Sequence, residues 1–222
     1  MKQIQISIFG DSIGTGQRIS AHQTWVCQVS QKLMSDLFDS VPGYEKCLEV
    51  SVINDSVNGN TTRDALDRMP FTIQNQSYDI VYMQFGLNDS NYWPNNYGCP
   101  RVSKEAFKLN LFEMVFRCID NGVQDILLAT NHPTNKGLVQ KVSYESSVRD
   151  YNEIIREVVY KEGLQLVDVE SSLLMHVAKT GLSSKEFVLP DGVHLNVKGH
   201  QFYRDFVCGE LQKSVKRVLG SL

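Results

Sequence analysis

No stretch of this 222-residue chain is apolar for long enough to span a bilayer. Met1-Lys2 leads straight into Ile4-Gln5-Ile6-Ser7-Ile8-Phe9, an alternating run too short and too polar for a signal-peptide core. The expectation is a cytoplasmic protein. Neither sign of charge dominates, since 22 Lys and Arg stand against 25 Asp and Glu for a formal net charge of −3. The basic residues are scattered, which argues against nucleic acid as a partner. Cysteine is sparse: Cys27, Cys47, Cys99, Cys118 and Cys208 are widely spaced, odd in number and form no Cys-x-x-Cys pair. That pattern fits reduced thiols and neither a zinc site nor a disulfide framework. Gly14-Thr15-Gly16 does not continue as Gly-x-Gly-x-x-Gly, and no glycine-rich loop ends in Gly-Lys-Ser/Thr. No His-Glu-x-x-His occurs either. A protein with no cofactor and no metal is expected.

Linkers, repeats and low-complexity segments are also missing, so residues 1–222 read as a single domain with one sizeable core. What is present is alternation. Apolar runs at Ile4–Phe9, Leu48–Asn54, Ile80–Phe85, Ile126–Thr130 and Leu164–Val167 predict strands. Between and after them, helical spacing predicts helices over Trp25–Phe38, Thr62–Ile73, Lys104–Asn121, Tyr144–Glu162 and about Val197–Leu219. Parallel neighbours need a crossover, and a helix supplies it while covering the sheet. The fold class is therefore α/β, a central, mostly parallel five-stranded sheet between helical layers.

In such sheets reactive groups gather where strands end and loops begin. Gly10-Asp11-Ser12-Ile13-Gly14-Thr15-Gly16 follows the first strand, and Asp191-Gly192-Val193-His194 precedes the last helix. Together they supply a serine, an imidazole and a carboxylate, the groups that acyl transfer by an activated hydroxyl requires. Asn58-Gly59-Asn60-Thr61-Thr62 lies just beyond the second strand, and Gly86-Leu87-Asn88-Asp89 follows the third. Read singly, each has an ordinary alternative: Ser12 or Asp191 as a helix cap, Asn88 and Asp89 as turn residues, His194 as a surface residue. Asp11 reads as a turn residue that bonds backbone.

In order and approximate spacing these four blocks resemble the SGNH (GDSL-type) hydrolases, and the resemblance runs from residue 4 to the final helix. It implies a flavodoxin-like three-layer α/β/α sandwich and a serine esterase mechanism. Ser12 would be the nucleophile, His194 the general base and then acid, and Asp191 the carboxylate that orients the imidazole. The N–H groups of Ser12 and Gly59 and the side-chain amide of Asn88 would form the oxyanion hole. Gly59 suits that role because a missing Cβ lets backbone approach substrate. Gly10-x-Ser12-x-Gly14 also satisfies the α/β-hydrolase nucleophile elbow, but that fold needs several strands before its elbow and here one precedes Ser12.

Substrate information is expected in the loop Ser90–Pro100, whose Tyr92, Trp93 and Tyr97 stand among amides and suit a sugar ring or an acyl chain. His132, directly after the fourth strand, fits either a pocket wall or a turn residue before Pro133. The reading favours a small-acyl, acetyl esterase acting on a small-molecule ester, with a carbohydrate as the preferred alcohol. An acyl thioesterase, a lysophospholipase-like lipolytic enzyme or an acyltransferase would use the same site. A glycan-binding module without catalysis is the alternative of a different class.

Overall fold

The computed structural model describes residues 2–40, 48–96, 98–139 and 142–220. Strand β1 (Lys2–Gly10) leads into a single helical turn, α1 (Ser12–Thr15), and then α2 (Trp25–Ser40). There follow β2 (Leu48–Asn54), α3 (Thr62–Met69), β3 (Ile80–Gln84), α4 (Lys104–Asp120) and β4 (Asp125–Ala129). A two-residue hairpin, β5 (Leu138–Val139) and β6 (Val142–Ser143), precedes α5 (Tyr144–Glu162). The chain ends with β7 (Gln165–Val167), α6 (Val169–Thr180) and α7 (Val197–Gly220).

The five main strands form one parallel sheet in the order β2-β1-β3-β4-β7. Ile6 stands beside Val52 on one side and Ile80 on the other, so the first strand is interior to the sheet. Alternate residues feed two cores. Ile4, Ile6 and Ile8 pack with Trp25, Val29 and Leu33 of α2 and with Tyr203, Val207 and Leu211 of α7. Phe9, Val81 and Met83 pack on the opposite face with Ala65 of α3, Phe107 and Met114 of α4, and Ile155 of α5. Because both faces are covered, β3 is buried along its whole length and reads in sequence as an unbroken apolar run.

The expected strands and helices are present with boundaries shifted by a few residues. The predicted helix over Thr62–Ile73 divides, however, with α3 ending at Met69 and a wider π turn running Pro70–Gln74. Proline lacks the N–H that would continue the regular ladder. Helix α6 was not expected: Val169 and Leu173 are buried while Leu174 and Met175 are exposed, so its apolar residues lie on both faces and blur the helical period. Among the described residues, no helix is long and apolar enough to cross a membrane.

Candidate active site

At the junction of β1 and β3 the strand order reverses, opening a crevice above their carboxyl ends. Asp11 caps the turn that follows β1: its Oδ1 accepts the Ile13 N–H at 2.9 Å. That cap makes Ser12 the first residue of α1, so its N–H has no intrahelical acceptor. The turn is tied down from above, because the Trp25 indole donates to the Ile13 carbonyl at 2.8 Å.

The imidazole arrives from a segment far along the chain. His194 Nε2 lies 3.1 Å from Ser12 Oγ, and its Nδ1 lies 2.8 Å from Asp191 Oδ2. A carboxylate only accepts, so the proton sits on Nδ1 and the Nε2 lone pair faces the serine hydroxyl. Asp191 is not part of a helix. Its Oδ1 accepts the N–H groups of Val193 at 2.9 Å and His194 at 3.0 Å, folding the segment into a tight side-chain-closed turn. Burial pushes the Asp191 pKa up, but those two N–H groups and the imidazole outweigh it and leave it below the usual carboxylate value. Arg18 Nη1 also reaches Asp191 Oδ2, at 2.8 Å.

The turn is braced from beneath by His132, which is fully buried. Its Nε2 lies 2.7 Å from the Val193 carbonyl and its Nδ1 lies 2.8 Å from the Tyr203 hydroxyl, which in turn accepts from Gln84. A carbonyl cannot donate, so Nε2 carries the proton, and burial lowers the ring's pKa to about 4. The sequence reading of His132 as pocket wall is therefore corrected: it is a neutral strut under the acid–base turn.

Asn88 faces the crevice with both amide hydrogens engaged, donating to Asp11 Oδ2 at 3.1 Å and to the Asn60 carbonyl at 3.0 Å. Gly59 sits in the exposed turn before α3 with φ 76, a left-handed conformation, and an added Cβ there would meet nothing within 4 Å. Neither its N–H nor that of Ser12 donates to a described acceptor. The Gly59 carbonyl is held at 2.9 Å by Arg101, whose guanidinium also lies 4.1 Å from the Trp93 ring centre.

The crevice beside Ser12 and His194 measures about 200 Å³. Tyr92 and Trp93 are not part of its lining, and Tyr97 lies outside the described residues. Trp93 is half exposed and covers Arg101, so the aromatic loop packs sideways onto the Gly59 turn. The walls are instead Arg18, Leu87, Asn91, Lys136 and Tyr144, which sequence reasoning missed. Asn91 and Lys136 do belong to loops that leave β3 and β4, the places where ligands collect. Nothing in the sequence marks Tyr144, at the start of α5, whose hydroxyl donates to the Leu87 carbonyl at 2.6 Å.

Residues 8–202 match the GDSL-like lipase/acylhydrolase family. The chain is similar to the arylesterase of Vibrio mimicus, at 23% identity over 210 residues covering 94% of this chain and 88% of that protein. It is also similar to thioesterase 1/protease 1/lysophospholipase L1 of Escherichia coli strain K12, at 24% identity over 208 residues, 94% of this chain and 83% of that one. Among solved structures, the acetyl xylan esterase AlAXEase superposes with a TM-score of 0.76 at 19% identity, covering 93% of this chain and 99% of the other.

Proposed function

Since the chain belongs to the GDSL-like lipase/acylhydrolase family and is a hydrolase of that family, we propose that it is a serine esterase that removes small acyl groups, acetyl foremost, from a polar alcohol such as a sugar. The observation that carries this reading is the relay Ser12 Oγ–His194 Nε2 at 3.1 Å and His194 Nδ1–Asp191 Oδ2 at 2.8 Å, opening into so small a crevice. Ser12 Oγ attacks the ester carbonyl while His194 Nε2 takes its proton. Negative charge then develops on the carbonyl oxygen, and the N–H groups of Ser12 and Gly59, which bond no described acceptor, are the donors assigned to receive it. The Asn88 amide joins them by exchanging its bond to the Asn60 carbonyl for the oxyanion. His194 returns the proton to the departing alcohol, leaving an acyl-serine. Water, deprotonated by the same imidazole, attacks that ester and releases the acid. Asp191 stabilises the imidazolium in both halves.

The crevice volume falls below the range of about 300–1,000 Å³ usual for ligand pockets, which favours an acetyl over a long acyl chain. Its rim, made by Arg18, Asn88, Asn91 and Lys136, suits a hydroxyl-rich alcohol better than a lipid. A panel of aryl esters from acetyl to decanoyl, with an acetylated sugar and an acyl thioester, tests the reading against Ser12→Ala. Hydrolysis is expected to be greatest for acetyl esters and to fall at least about a thousandfold in the variant. Most of the activity surviving in pure Ser12→Ala protein would overturn the nucleophile assignment. A preference for decanoyl or for the thioester would overturn the substrate assignment.

A further inference from the structure

Three charged side chains face the crevice: Asp191, Arg18 and Lys136. Asp191 forms its ion pair with Arg18, which leaves Lys136 without one of its own. Its ammonium makes no ion pair with a described residue. Its neighbours are neutral, the Asn91 side-chain oxygen at 3.3 Å and the Tyr144 ring, whose centre is 4.7 Å away. Half-burying an ammonium beside neutral partners costs solvation that they only partly restore. Burial accordingly lowers its pKa, opposed by the charge of Asp191.

The position is also built. The Asn135 N–H donates to the Gly192 carbonyl at 2.7 Å, tying the segment that carries Lys136 to the turn that carries Asp191 and His194. Contact there is so close that a Cβ on Gly192 would stand 2.5 Å from the Asn135 carbonyl carbon and 2.6 Å from the Lys136 nitrogen. Also in the lining, Arg18 is held at φ 71, alone in that region among described non-glycine residues. Strain of this kind persists where surrounding contacts over-determine it, and it gathers at ligand sites.

We propose that Lys136 forms an anion-binding position of the crevice, so that the preferred ester carries a carboxylate or phosphate close to the scissile bond. The inference rests on the esterase reading, which it extends from an acyl size to a charge. The anion can belong to the acid or to the alcohol. Matched pairs separate these sources: phenyl hydrogen succinate against phenyl methyl succinate on the acyl side, and meta-acetoxybenzoate against its methyl ester or meta-acetoxyphenyl phosphate against its dimethyl ester on the alcohol side.

The quantity to read is the ratio of kcat/KM for the anionic ester over its neutral partner, in wild type, Lys136→Met and Lys136→Arg. The wild-type ratio is expected to exceed about tenfold for at least one pair, because a charge-assisted hydrogen bond is roughly twice as strong as a neutral one. It should collapse toward unity in Lys136→Met and survive largely in Lys136→Arg. A wild-type ratio near unity for every pair, or a ratio that Lys136→Met preserves, would overturn the proposal. Equilibrium binding of the same pairs to Ser12→Ala protein, followed by ligand NMR with and without Lys136→Met, needs no turnover. If no ester is hydrolysed yet the anionic members bind more tightly through Lys136, the esterase reading fails and the anion position stands.

Discussion

Asp89 accepts the Thr62 N–H at 2.8 Å and the Thr62 hydroxyl at 2.6 Å with one carboxylate oxygen, while its other oxygen has no partner among the described residues. It is fully buried close to Asp11, which is buried too. Burial pushes Asp89 up to about 6 and, helped by the Asp89 charge, pushes Asp11 up to about 7, both from an ordinary 3.8. The folded protein therefore holds these protons after the unfolded chain has lost them. Stability drains away as pH rises from about 4 to about 7, and the penalty is fully present above that window. Asp89→Asn keeps the shape and the acceptor without the charge. Its unfolding free energy from urea titration should exceed wild type at about pH 8, by on the order of 1–3 kcal/mol, and the gap should close below about pH 4. An equal gap at both pH values would mean that charge is not the cause.

At the scale of elements, the acid–base turn between α6 and α7 depends on its contact with the segment after β4. Gly192→Ala adds a Cβ against backbone at 2.5 Å and forces φ 72 on a residue that resists it. Gly122→Ala has comparable strain, with φ 82, but nothing within 4 Å of the new atom and no place near the crevice. Both should lose about 1 kcal/mol or more by denaturant titration, and Gly192→Ala alone should lose kcat by about tenfold or more, since small misplacements of reacting groups are costly. Equal kcat in the two variants would show that the turn tolerates displacement. Much of this layer was legible in the chain itself. Strands buried on both faces announce themselves as apolar runs, and Ser12 and Asn88 fall at the loops those runs predict, while His194 stands just before the last predicted helix. Arg18 and Tyr144 were not legible, because they reach the crevice through contacts between distant segments that no local pattern encodes, while Lys136 lies in a loop those runs predict but carries no motif that singles it out. Trp93 misled for the opposite reason: an aromatic in a long loop resembles a binding wall, and only the position of Arg101 reveals where it packs.

Over the whole molecule, Trp25 joins the two ends of the site. Its indole holds the Ile13 carbonyl beside Ser12, its backbone N–H donates to His200 Nδ1 on α7 at 3.2 Å, and its ring lies against Tyr82 and Tyr203. The sequence contains two tryptophans, so Trp93→Phe leaves Trp25 as the sole indole reporter. In that background ester hydrolysis and Trp25 fluorescence should be lost at the same urea concentration, the behaviour of a cooperative unit. Activity that vanishes well before the fluorescence changes would instead place the site in a locally unfolding segment. Ser12 and His194 are 182 positions apart, and α7, which closes one face of the sheet, comes after both. A ribosome thus makes the serine 182 positions before the imidazole. Until that stretch has been made, the nascent polypeptide carries the Ser12 hydroxyl without the imidazole that faces it, and the relay can assemble only after α7 leaves the exit tunnel and seats.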